Sequence, residues 1–216
     1  MVLVDKKVLF LGDSITEGYC ASAPAFNFVN RFGKLTGAVV RNYGIGGSSI
    51  ARQHTLCKDQ IWNLNFLDRV EMMDEDADLV VVFGGTNDFG HGTTDLGNLK
   101  STDEYTFIGA VRSLIERLIQ KYPTAEIVFL TPLHRENEDV LVNAFGDTRP
   151  PLSAYVDALK AVTGLYAIPT LDLFSVSGIQ PNLKIHKKTW TADGLHPNDL
   201  GMERLTSRLI GFLSTL

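Results

Sequence analysis

Apolar positions along the chain follow two alternating patterns. Short unbroken runs at residues 8–11, 39–43, 79–83, 127–130 and 167–171 read as strands, and their near-complete lack of polar residues predicts burial on both faces. Between them the spacing changes to three and four. In residues 105–122, Ile108, Val111, Leu114, Ile115, Leu118 and Ile119 fall on one helical face. Residues 153–163 repeat this with Val156, Leu159 and Val162, and the last helix does so with Met202, Leu205, Leu209 and Phe212. Weaker helical patterns occupy 26–35 and 61–73. Asn198 stands where a side-chain oxygen would cap the final helix. Strands alternating with helices predict an α/β fold, a three-layer doubly wound domain of about five parallel strands.

The length fits this picture as one domain, since 216 residues lie below the roughly 250 at which a single core splits. The chain is 44% hydrophobic and 21% charged, as expected of a globular protein with a sizeable core. A net charge of −5, with no basic run beyond the short Lys184–Lys188 stretch, argues against nucleic acid as a partner. No apolar run is long enough to span a bilayer, and the first residues lack a signal peptide's order, so the expected location is cytoplasmic. Cys20 and Cys57 suggest neither a zinc knuckle nor a disulfide framework, and read as reduced, partly buried thiols.

In a doubly wound sheet, ligands collect beyond the carboxyl ends of the strands, so the residues just after each strand carry the interest. After the first strand comes Gly12-Asp13-Ser14-Ile15-Thr16, which places a serine hydroxyl at a helix start; an N-capping serine would look the same. After the second comes Gly44-Ile45-Gly46-Gly47-Ser48-Ser49. Its glycines let backbone N–H groups approach a ligand, but it lacks the last glycine and the later acidic residue of a dinucleotide fingerprint. The third strand ends in Gly84-Gly85-Thr86-Asn87-Asp88, where the Asn87 amide is either an oxyanion donor or a turn former. Near the C-terminus, Asp193-Gly194-Leu195-His196-Pro197-Asn198 sets a carboxylate three residues before an imidazole, close enough to fold back onto it.

These four segments, in this order and spacing from Gly12 to Asn198, resemble the blocks of the SGNH hydrolase superfamily, also called GDSL esterases. The resemblance implies a flavodoxin-like fold and a serine esterase. It implies Ser14 as nucleophile, His196 as general base and Asp193 as the carboxylate that orients the imidazole. The oxyanion hole it implies is the backbone N–H of Ser14, the backbone N–H of Gly47 and the side-chain amide of Asn87. Asp13 and Asp88 are expected to act as turn or supporting residues.

No cofactor is implied, and no His, Asp and Glu spacing suggests a metal. His91 and His134 fall near the active edge of the sheet, each either lining a pocket or facing solvent. His54 is expected near a helix start and His186 in a charged loop. The expected reaction is hydrolysis of a small-molecule carboxylic ester through an acyl-enzyme, with short acyl esters of a carbohydrate or other polar alcohol favoured by the absence of a long apolar lid. A lysophospholipase or thioesterase of the same superfamily is the alternative, and a non-catalytic binding module is the alternative of another class.

Overall fold

A computed structural model describes all 216 residues of the chain. Strand β1 (Lys7–Gly12) leads into the short helix α1 (Ser14–Glu17), followed by α2 (Phe28–Thr36) and β2 (Val39–Gly44). Then come α3 (Phe66–Val70), β3 (Leu79–Phe83), α4 (Thr86–Gly90), α5 (Phe107–Lys121) and β4 (Glu126–Leu130). The chain closes with α6 (Leu152–Leu165), β5 (Thr170–Leu171), α7 (Leu173–Val176), α8 (Lys184–Trp190) and α9 (Asp199–Leu213). The five strands form one parallel sheet in the order β2-β1-β3-β4-β5. This is the expected three-layer α/β domain, with the flavodoxin-like strand order.

The strict period of two along the central strands divides the core into two halves. Leu9 and Leu11 of β1, Val80 and Val82 of β3, and Ile127 and Phe129 of β4 face α3, α5 and α6. Their neighbours Val8, Phe10, Leu79, Val81, Val128 and Leu130 face α2 and α9 on the other side. Each central strand is therefore covered twice, which is why its sequence carries no polar alternation. Phe10 sits against Phe28 and Phe32 in edge-to-face contacts, with centroids 5.7 and 5.3 Å apart. Asn198 caps α9 by accepting from the N–H groups of Leu200 and Gly201.

Several sequence expectations are corrected. Strand β2 is an edge strand, and all six of its residues are exposed or half-buried because no neighbour covers its outer side. β5 spans two residues rather than five: Ala167 has a left-handed backbone (φ 53°) and the N–H of Ile168 bonds back to the carbonyl of Thr163 at 3.0 Å, so the extended pairing starts later. Segment 61–73 is not one helix. A single 3₁₀ turn, Gln60–Asn63, precedes α3, with Asn65 capping α3 through the N–H of Asp68. Ile119 lies 40% exposed on α5, just outside the buried stripe. No helix is long and apolar enough to cross a membrane.

This packing predicts a sharp contrast between two truncations. Phe10→Ala, at a site where Phe28 and Phe32 cannot close the void, should destabilise the protein by about 3–5 kcal/mol. Ile119→Ala should change stability by less than about 1 kcal/mol. Urea denaturation midpoints at unchanged slope check both, and similar midpoints for the two variants would contradict the assignment of the core.

Candidate active site

The site lies where β1 and β3 run side by side. From β1 the chain crosses back to β2 on one side, and from β3 it continues to β4 on the other, so the loops leaving the two strands diverge and a cleft opens between them. Ser14 opens α1 immediately after β1, with Asp13 as N-cap accepting the N–H of Ile15 at 2.9 Å. Asn87 lies in α4 immediately after β3.

The third component arrives from the far end of the chain. The Ser14 hydroxyl lies 3.0 Å from Nε2 of His196, and Nδ1 of His196 lies 2.7 Å from Oδ2 of Asp193. The other carboxylate oxygen of Asp193 accepts the backbone N–H groups of Leu195 (2.9 Å) and His196 (2.8 Å). Partial burial pushes the Asp193 carboxyl up, but these hydrogen bonds outweigh it and hold the group below the usual carboxylate range. An ionised Asp193 accepts only, so the Nδ1 proton is fixed on its side and Nε2 is left as the acceptor facing Ser14. Tyr19 packs edge-on against the imidazole, centroids 4.7 Å apart.

Asn87 is oriented by its own amide. One of its N–H groups donates to the carbonyl of Ser48 at 3.0 Å, which leaves the second available. Gly47, the residue before Ser48, has a left-handed backbone (φ 77°), and a Cβ there would lie 2.4 Å from the indole of Trp62. Glycine is therefore required by both torsion and space. Asp88, next to Asn87, fixes this loop by accepting the N–H groups of Ile50 and Ala51, each at 2.9 Å. Its complete burial pushes its pKa up to about 6 despite those donors, and burial likewise pushes that of Asp13 up to about 7.

Three contributors were not legible in the sequence. Arg69 of α3 is buried and ties the end of β1 to the end of β2 and the loop after it, donating to the carbonyl of Gly12 (3.0 Å), the hydroxyl of Ser48 (2.7 Å) and the carbonyl of Tyr43. Trp62 stacks on His91 with centroids 4.3 Å apart. Arg135, from the loop after β4, joins Ser14, Gly47, Asn87, His91 and His196 around one cavity of about 510 Å³. The only hint of Arg69 was a lone arginine in an apolar segment, and Trp62 sat in a pattern that read as helix.

The histidines divide clearly. His91 lines the cavity, and burial lowers its pKa to about 4, so it is neutral near pH 7. His134 does not line it: Nδ1 pairs with Glu138 at 2.9 Å and the ring lies 3.7 Å from that of Phe174. His54 lies in a loop, stacked on Tyr105, and His186 belongs to α8 rather than to a loop. Ligating atoms of Cys20, Asp193 and His196 fall within 4.8 Å of one another and could hold a metal ion. The hydrogen bond between Asp193 and His196 already accounts for two of the three groups.

A hydroxyl, an imidazole and a carboxylate in series, beside backbone and amide donors, are arranged for nucleophilic acyl transfer. Comparison with known proteins agrees. Residues 10–204 match the model of the GDSL-like lipase/acylhydrolase family. No curated protein matches the chain. One solved structure is 35% identical, with 100% of this chain and 99% of the other aligned at a TM-score of 0.86. A protein from Lactobacillus plantarum is 27% identical over 99% of this chain and 98% of its own, at a TM-score of 0.83. The lipase/acylhydrolase from Enterococcus faecalis shares the fold at 22% identity and a TM-score of 0.60, covering 95% of this chain and 94% of its own. The chain belongs to the GDSL-like lipase/acylhydrolase family and is a carboxylic ester hydrolase.

Proposed function

We propose that residues 1–216 form one catalytic domain that hydrolyses small-molecule esters through an acyl-enzyme on Ser14. The observation that carries this reading is the unbroken series from the Ser14 hydroxyl through His196 to Asp193, at 3.0 and 2.7 Å. Nε2 of His196 takes the hydroxyl proton as Oγ bonds to the ester carbonyl carbon. The resulting oxyanion is held by the N–H groups of Ser14 and Gly47 and by the free amide hydrogen of Asn87. As the tetrahedral intermediate collapses, the imidazolium returns that proton to the departing alcohol. A water molecule then enters, gives its proton to His196 and attacks the acyl carbon, and Ser14 leaves with the proton back on its hydroxyl. Asp193 stabilises the imidazolium in both halves.

The substrate class we infer is a short acyl ester of a polar alcohol. Glu17, Asp59 and Arg135 occupy the cavity wall, and charged groups there suit a polar leaving group better than a long alkyl chain. One observation favours the longer-acyl alternative of a lysophospholipase or thioesterase. Ile61 and Trp62 line the same cavity while remaining 51% and 38% exposed, and could receive a few methylenes. Neither reading calls for a nucleic-acid partner.

Ser14→Ala and His196→Ala should each lower turnover of a simple aryl ester by roughly 10⁴-fold or more, since the members of a triad act as a unit. A fluorophosphonate probe should label the native protein and not Ser14→Ala. Near-native turnover by folded Ser14→Ala would exclude the assignment. Asn87→Ala should lower kcat by about 10²–10³ with KM nearly unchanged, because its free amide hydrogen meets a full negative charge only in the transition state. A change confined to KM would instead make Asn87 a substrate-binding group. For p-nitrophenyl esters from acetyl to octanoyl, kcat/KM should be highest at the short end. A steady rise through octanoyl, at the roughly 0.8 kcal/mol per methylene of an apolar groove, would move the reading to the longer-acyl class and leave the triad intact.

A further inference from the structure

The loop after β4 delivers a guanidinium to the wall of the catalytic cavity, and more than half of its N–H donors are unused. Nη1 of Arg135 donates to the carbonyl (3.2 Å) and hydroxyl (3.1 Å) of Thr86, the residue before Asn87. Nε is buried without a partner, and Nη2 makes no hydrogen bond within the chain. No carboxylate pairs with the group; Asp13, Asp193 and Glu138 act on it only through longer-range fields. The nearby charge of greatest effect has the same sign. Arg149 donates to the carbonyls of Phe89 and Gly90 (2.8 Å to Gly90) and lies over the Phe89 ring, again with no carboxylate partner.

Gly90 makes this arrangement sterically possible. A Cβ there would come within 3.0 Å of Nη1 of Arg135, and Gly90 itself lines the cavity. Clamping the Thr86 carbonyl accounts for Nη1 alone. It leaves a cation with no carboxylate partner, largely removed from water and faced only by the Phe89 ring at 5.6 Å, beside the oxyanion donor Asn87. Arg69 shows the contrast, because its guanidinium is spent on oxygen acceptors supplied by the chain itself. A buried guanidinium with unspent donors is unfavourable alone and becomes favourable when an anionic oxygen meets it at Nη2, which is neither bonded within the chain nor closed off as Nε is.

We propose that Arg135 is a specificity-determining residue and that the preferred esters carry a carboxylate or phosphate, bound by its unpaired donors while the carbonyl sits over Ser14. This rests on the reading of the cavity as the ester site. Such an anion stands on either the alcohol or the acyl side of the scissile bond, and matched substrates separate the two sources.

The test compares kcat/KM, each corrected for the ester's hydroxide-catalysed rate, within two pairs. On the alcohol side the pair is 4-acetoxybenzoate and its methyl ester. On the acyl side it is mono-4-nitrophenyl glutarate and 4-nitrophenyl valerate. Charge-assisted hydrogen bonding at Nη2 predicts a preference of about tenfold or more for the anionic member of at least one pair. That ratio should collapse toward one in Arg135→Gln and survive in part in Arg135→Lys. Being a ratio, it is insensitive to a general loss of turnover. A ratio at or below one in both pairs for the native protein, or a preference that persists unchanged in Arg135→Gln, overturns the proposal. Native protein alone supplies a further measure that needs no variant: benzoate should inhibit hydrolysis of a neutral ester at a concentration at least about tenfold below benzamide. Equal inhibition counts against the proposal. Failure of fluorophosphonate labelling at Ser14 would sink the esterase assignment itself, whereas efficient turnover of neutral esters with ratios of one would sink only the role of Arg135.

Discussion

The pairing of β1 with β3 is the constraint on which the site depends. It aligns Gly12 with Phe83, so the turns that leave these two strands begin side by side although about seventy residues of chain separate them. Ser14 and Asn87 then stand at the same edge with no need of a direct bond between them. The loop after β2 is brought to the same place by the parallel register of β1 with β2, which sets Gly12 beside Gly44. Arg69 locks the result, since one guanidinium bonds to the end of β1, the end of β2 and the loop beyond it. A hydrogen bond to a charged donor in a buried setting is among the stronger ones a chain makes, and three from one side chain resist relative motion of the segments that carry Ser14 and Gly47.

Buried charge is distributed here with a division of labour. Asp88 and Asp13 serve the backbone, one pinning residues 50 and 51 and the other capping α1. Asp193 meets the imidazole beside Ser14, and it is half-exposed, so its carboxyl is held low while those of Asp13 and Asp88 are pushed upward. The same logic separates His91 from His196. Burial keeps His91 neutral, packed beneath Trp62, while His196 is flanked by a carboxylate that can stabilise its charged form. An esterase mechanism needs one imidazole that changes charge, and the second imidazole of the cavity, His91, is held neutral near pH 7.

The loop carrying Asp193 and His196 is held from both sides. The backbone of Thr191 bridges to Pro197, and the N–H of Glu136 donates to the carbonyl of Gly194 at 2.8 Å. Beyond it α9 packs on α2, the helix that follows the Ser14 turn. Core burial on that face of the sheet therefore sets the position of His196 relative to Ser14, and the 3.0 Å contact follows from packing as much as from the loop.

What the sequence determined were features of short range. Runs that are apolar throughout mark strands covered on both sides, a spacing of three and four marks α5, α6 and α9, and the Asp193 to His196 interval places two partners within reach on one loop. The family resemblance added Ser14, Gly47 and Asn87 as further members of one site, and the structure gathers all five at a single edge. Tertiary structure alone decided what depends on contacts between distant segments. Residues 61–73 carry a helical pattern, yet the demand that Trp62 cover Gly47 and that Arg69 reach two strand ends and the loop beyond β2 divides them into a turn and a short helix. β5 shrinks to two residues because Ala167 is left-handed and the N–H of Ile168 still bonds back to Thr163 at the end of α6, and β2 is exposed because sheet order, which no local pattern encodes, leaves it at an edge. Arg135 illustrates the limit most plainly. Along the chain it is one arginine after a strand, and only the approach of Thr86 and Gly90 from another strand's end shows that its charge is buried, unpaired and turned toward the site.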